Sequence, residues 1–262
     1  MKFFKIYLIF AFLLFFSFSF VFAQDSSNLV RLRQEYYQAN SNFKKELELF
    51  DLSRSKHLSY QSLASESEAI NASQKMMASK VKLISSYLRL IREVLASQTK
   101  IENYQENLVY LKFDNLLTEL SSFEPRIDSL QSLDDLQKVD QDMGDKFLIG
   151  AKLSYKSLGL VNLKKITAIF DQIEGQITAL NKEINQFENL SSQDLGLLQK
   201  KVVEAETTFK NLKTELSQAE KLFLIKIETD EDKDAYIQLN RSLSTIKVRS
   251  DGLLINLNEI IK

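Results

Sequence analysis

The stretch ITAIFDQIEGQITALNKEINQFENLSSQDLGLLQKKVVEAETTFKNLKTELSQAEKLF, residues 166–223, decides the fold. On both sides of LSSQDL, residues 190–195, apolar side chains recur at alternating steps of three and four. This spacing is typical of the seam between two coiled helices. The first stripe, which begins just before the quoted stretch, comprises Leu163, Ile166, Phe170, Ile173, Ile177, Leu180, Ile184 and Phe187. The second comprises Leu195, Leu198, Val202, Ala205, Phe209, Leu212, Leu216, Ala219 and Phe223.

The residues between the two stripes predict that the chain reverses direction there. Ser191 and Asp194 have the spacing of a capping box, and the link is too short for anything but a tight turn. In an antiparallel hairpin every core layer then finds an apolar partner. The predicted layers are Phe187 with Leu195, Ile184 with Leu198, Leu180 with Val202, Ile177 with Ala205, Ile173 with Phe209, Phe170 with Leu212, Ile166 with Leu216, and Leu163 with Ala219.

Further stripes with helical spacing cover much of the remaining chain. They comprise Leu29, Leu32, Tyr36, Ala39 and Phe43; Met77, Val81, Ile84, Leu88, Ile91 and Leu95; Val109, Phe113, Leu116, Leu120 and Phe123; and Tyr236, Leu239, Leu243, Ile246, Ser250, Leu253, Leu257 and Ile260. Ser132 and Thr229 are candidate N-caps of the third and last segments. Polar residues 64–73 predict a turn or kink, and the glycines in residues 144–159 leave a break there undecided.

The fold class follows from these stripes. A single Pro and few Gly interrupt the chain, and no stretch alternates with the period of a strand. The last segment either returns along the bundle or continues the preceding helix. We therefore expect residues 24–262 to form one all-α domain, an elongated antiparallel helical bundle with coiled-coil-like hairpins.

The first residues have the pattern of a targeting segment. Lys2 and Lys5 precede the apolar residues 6–23, and Val21 and Ala23 occupy the small-residue positions before a cleavage point. Residues 1–23 therefore predict a signal peptide, with a retained membrane anchor as the alternative because the apolar run could just cross a bilayer. Either reading predicts an exported protein that is periplasmic, envelope-associated or secreted.

The composition narrows the possible partners. The formal net charge is −1 and charges of both signs are interspersed, whereas a nucleic-acid surface needs a basic excess. The chain has no Cys, which excludes disulfides and a lipid anchor on Cys. We expect protein partners or self-association through amphipathic helices, no nucleic acid, and membrane contact only through residues 1–23 if they are not removed.

No motif in the sequence predicts a catalytic, cofactor or metal site. His57 is the only His, without a neighbouring ligand cluster. DEDKD, residues 230–234, begins like a calcium loop, but Ala235 and Arg241 replace the required Gly and Glu; DQDMGD, residues 140–145, fits less well. Met76 and Met77 are interpreted as core residues. We therefore expect no catalytic residues, no metal and no cofactor.

Two functions remain compatible with the sequence. The first is a non-enzymatic envelope or extracellular scaffold, spacer or protein-interaction module. The alternative is an extracytoplasmic bundle that binds a small ligand or acts as a sensor, which needs a polar gap between helices. Tyr104, Tyr110 and Tyr155 could contribute to such a gap.

Overall fold

A computed structural model describes residues 27–98, 104–184, 192–227 and 232–261. The all-α prediction is confirmed, because these ranges contain helices joined by short turns and no strand. The helices are α1 (Ser27–Tyr60), α2 (Leu63–Gln98), α3 (Tyr104–Ser121), α4 (Phe123–Asp128), α5 (Leu133–Ile184), α6 (Ser192–Lys226) and α7 (Asp232–Ile261). The predicted targeting segment, residues 1–23, lies outside the described residues.

The chain divides into two compact units, Met1–Ser154 and Tyr155–Lys262. Helix α5 contributes its residues up to Ser154 to the first unit and the remainder to the second. Each unit has its own set of buried side chains.

In the first unit, α1 and α2 form an antiparallel hairpin. The Tyr36 and Tyr87 rings pack with centroids 5.9 Å apart, and further along Lys56 Nζ lies 2.5 Å from Glu68 Oε2. The predicted stripe of α2 is buried throughout, from Met77 to Leu95. The predicted stripe of α1 is buried at Leu29, Leu32, Tyr36 and Phe43. Helices α3 and α4 pack against α2.

The turn between α1 and α2 lies at residues 61–62, so the predicted turn or kink at residues 64–73 is wrong. Those residues belong to α2. Gln61 adopts a left-handed conformation with φ of 45°, and Ser62 then caps α2. The Ser65 amide donates to Ser62 Oγ over 3.2 Å, and the Ser62 amide donates to Ser65 Oγ over 3.1 Å. A serine at the third helical position therefore completes a capping box that normally uses Glu or Gln.

Helix α5 runs without a break through Gly144, Gly150 and Gly159, so the chain does not break in residues 144–159. Its start is as predicted: the Asp135 amide donates to the Ser132 hydroxyl over 3.1 Å. A Cβ at Gly159 would approach the Phe223 ring to 2.2 Å, whereas a Cβ at Gly150 would meet Leu116 and Leu88 at ordinary contact distances. The small size of Gly159 therefore serves helix packing and not a turn.

In the second unit, α5 and α6 pack antiparallel, as the quoted stretch predicts. Lys213 Nζ lies 2.9 Å from Glu174 Oε2, and Asn181 Nδ2 donates to Glu206 Oε1 over 2.7 Å. The rings of Phe170 and Phe209 meet edge to face at 5.3 Å, one layer from the partner that the predicted register assigned to Phe170. The turn itself, with the predicted cap Ser191, lies outside the described residues.

Helix α7 returns along α6. Arg249 Nη1 lies 2.6 Å from Glu215 Oε2, and Lys226 Nζ donates to Gln238 Oε1 over 3.0 Å, which fixes an antiparallel order. Of the two courses open to the last segment, the structure shows the return. Its predicted stripe is buried from Tyr236 to Leu257. The candidate cap Thr229 lies outside the described residues.

Candidate interaction surface at the α1–α2 tip

The polar residues singled out in the sequence lie apart or in structural pairs. His57 is half-buried at the end of α1, where its Nδ1 lies 3.3 Å from Ser65 Oγ and links the two arms of the hairpin. Met76 and Met77 are buried in the core, as predicted. In the described ranges, no group of three or more His, Asp or Glu side chains could hold a metal ion.

Asp140 and Asp142, which belong to the stretch DQDMGD, each form an ion pair with a basic side chain. The Lys80 ammonium lies 2.8 Å from Asp140 Oδ1 and 4.9 Å from the centroid of the Phe147 ring. Lys80 is 9% exposed, so this is a largely buried ion pair between α2 and α5. Removing one partner of such a pair strongly destabilises the fold, because the other charge is then buried without a partner. Its position in the core gives it a structural role.

A shallow groove of about 610 Å³ lies where α4 approaches the start of α5. Its charged side chains neutralise one another: Arg126 Nη2 lies 3.1 Å from Asp142 Oδ2, and Lys138 Nζ lies 3.0 Å from Asp135 Oδ1. Hydrogen bonds from Lys138 and Ser132, together with the Lys138 charge, lower the pKa of Asp135. These charges are thus already engaged within the groove, which lacks a converging set for a charged ligand.

The tyrosines proposed for a ligand gap have separate surroundings. Tyr110 lies under the Arg92 guanidinium at 5.5 Å in the first unit, and Tyr155 packs on Tyr236 with centroids 5.5 Å apart in the second. The side chain of Tyr104 lies outside the described residues. Burial, and then the nearby carboxylate of Asp232, raises the pKa of Tyr155.

The Tyr155 hydroxyl is buried and makes no hydrogen bond within the described part of the chain. A buried hydroxyl without a partner costs free energy, because it has lost its hydrogen bonds to water. This hydroxyl and the buried Oε1 of Gln176, which also has no hydrogen-bond partner in the described part of the chain, are polar groups of the second unit that packing alone does not explain.

An exposed apolar cluster lies at the end of the α1–α2 hairpin. We call it the apolar tip, and it consists of Leu52, Leu58, Tyr60 and Leu63. Their exposed fractions are 68%, 63%, 73% and 86%. The last three lie within a few residues of the turn. Such side chains contribute little to folding while they remain in water.

None of these residues belongs to the stripes that the sequence predicts. Beyond Phe43 the same helical spacing continues through Leu47 and Phe50, both of which are half-buried. Leu52 and Tyr60 fall off that stripe and are exposed. The sequence does contain a signal for this surface. Several apolar residues near the turn do not follow the spacing of the core stripe.

The charges around the apolar tip are nearly balanced. The α1 arm contributes Asp51, Arg54 and Lys56, and the α2 arm contributes Glu66 and Glu68. Lys56 and Glu68 form an ion pair between the arms. The tip therefore carries charges of both signs.

Comparison with known proteins does not supply a family. No protein-family model, curated protein or solved structure matches this chain. Among the described helices, none has both the length and the apolar character needed to cross a bilayer. The fold and the apolar tip are therefore the features from which a function can be inferred.

Proposed function

We propose that this protein is a non-enzymatic, exported helical scaffold that acts as a protein-interaction module at the cell envelope or outside the cell. The observation that carries the proposal is the apolar tip, whose four large side chains are mostly exposed. Exposed apolar patches of a few hundred square ångströms on a folded chain commonly mark interaction sites. Export is proposed from the targeting pattern of residues 1–23.

The rest of the molecule supports this role through its construction. Long helices bury continuous apolar stripes in both units, and many of their flanking charges pair between neighbouring helices. Helical hairpins present a short, defined surface at their ends while the paired arms maintain its form. The charged groove and the Lys80–Asp140 pair have their charges engaged within the chain, so neither favours a chemical reaction as the function.

The test is photo-crosslinking in intact cells that produce the protein. A photoreactive amino acid replaces Ser59, which is exposed beside the apolar tip, and the matched control carries it at the exposed Lys200 of α6. We expect illumination to produce a discrete protein adduct from the Ser59 position and none from the Lys200 position. Absence of any adduct from Ser59 would contradict the interaction role.

The same cells test the site of export. N-terminal sequencing of the exported chain should begin at Gln24, because cleavage is predicted after Ala23. A chain found entirely in the cytoplasm with Met1 intact would contradict the proposed localisation. A chain on the membrane that retains residues 1–23 would instead support the anchor alternative.

A further inference from the structure

We draw no further inference here: the strongest candidate, the exposed apolar surface beside the turn between α1 and α2, carries none, because nothing in the described part of the structure shows what covers it.

Discussion

The two antiparallel hairpins of this molecule differ in how their apolar faces end. In the α5–α6 hairpin the buried stripe continues to Ile184, the last residue of α5, which is only 6% exposed. In the α1–α2 hairpin the stripe of α1 is buried as far as Phe43, becomes half-buried at Phe50, and is followed by the exposed apolar tip. The core stripe thus stays buried to the end of α5 in one hairpin, although α6 also exposes Leu197 and Val203, whereas in the other hairpin the stripe of α1 gives way to exposed apolar residues before the turn.

The α5–α6 seam and the apolar tip are expected to have different roles, the first in stability and the second in interaction. Large side chains in the continuous seam of α5 and α6 are buried against a partner helix, so their contribution is to stability. The apolar tip contributes no comparable burial within its own chain. Substitutions in the two regions should therefore affect different measurements, and this difference can be tested directly.

The largest effect is expected at Ile173, which is 0% exposed in the α5–α6 seam. Ile173→Asp should destabilise the second unit by at least about 4 kcal/mol, because it places an unpaired charge in an apolar core. Circular dichroism during denaturant unfolding should show a large loss of helix. The neighbouring exposed substitution Gln172→Asp should remain within about 0.5 kcal/mol of the wild-type protein. Equal stability of the two variants would show that the seam is not the core.

The next effect compares two glycines of α5. Gly159→Ala should destabilise the protein by about 1–3 kcal/mol, because the added Cβ would lie 2.2 Å from the Phe223 ring in a packed core. Gly175→Ala should stabilise it by up to about 1 kcal/mol, since nothing lies within 4 Å and Ala is the better helix former. Thermal melting of both variants measures the difference. Shifts of the same sign would contradict the contact between Gly159 and Phe223.

The smallest effect concerns the buried Tyr155 hydroxyl. Tyr155→Phe should stabilise the protein by about 1 kcal/mol, because it removes a buried donor that has no partner. Tyr37→Phe is the control, since Tyr37 is 56% exposed and its change should be negligible. Denaturant unfolding at neutral pH measures both, and a destabilised Tyr155→Phe variant would indicate a hydrogen bond that the structure does not show.

The same tyrosines give a prediction for alkaline pH. Burial raises the folded-state pKa of Tyr36 and Tyr155 above the ordinary value of about 10. The folded chain therefore holds these protons longer than the unfolded chain, and their contribution to stability is lost as pH rises above about 10. Tyrosinate absorbance should increase together with unfolding. Tyr155→Phe should reduce this loss, and ionisation of all tyrosines near pH 10 without unfolding would contradict it.

Much of the fold could be predicted because the core stripes have a strict helical period. The stripe from Met77 to Leu95 and the stripe from Tyr236 to Leu257 are buried as expected, since each apolar residue lies on one face. The N-cap Ser132 was also predictable, because a serine before acidic residues has a local hydrogen-bonding role. These features depend on residues close together in the sequence.

Other features depend on contacts that spacing does not reveal. The turn at Gln61 was missed because a non-glycine residue in a left-handed conformation has no strong sequence signal. The close approach of Phe223 to Gly159 joins two different helices, so the spacing of residues along α5 does not reveal it. The apolar tip was missed because its residues lie off the core stripe, where single exposed apolar residues are common and only their clustering is informative.

The reciprocal hydrogen bonds between Ser62 and Ser65 should make the bend between α1 and α2 insensitive to salt concentration. They join uncharged groups, so dissolved ions do not screen them in the way that they screen an exposed ion pair such as Lys56–Glu68. The bend that presents Tyr60 and Leu63 should therefore keep its form from dilute to concentrated salt. High salt is expected to weaken charge pairing across the hairpin while leaving the shape of its end unchanged.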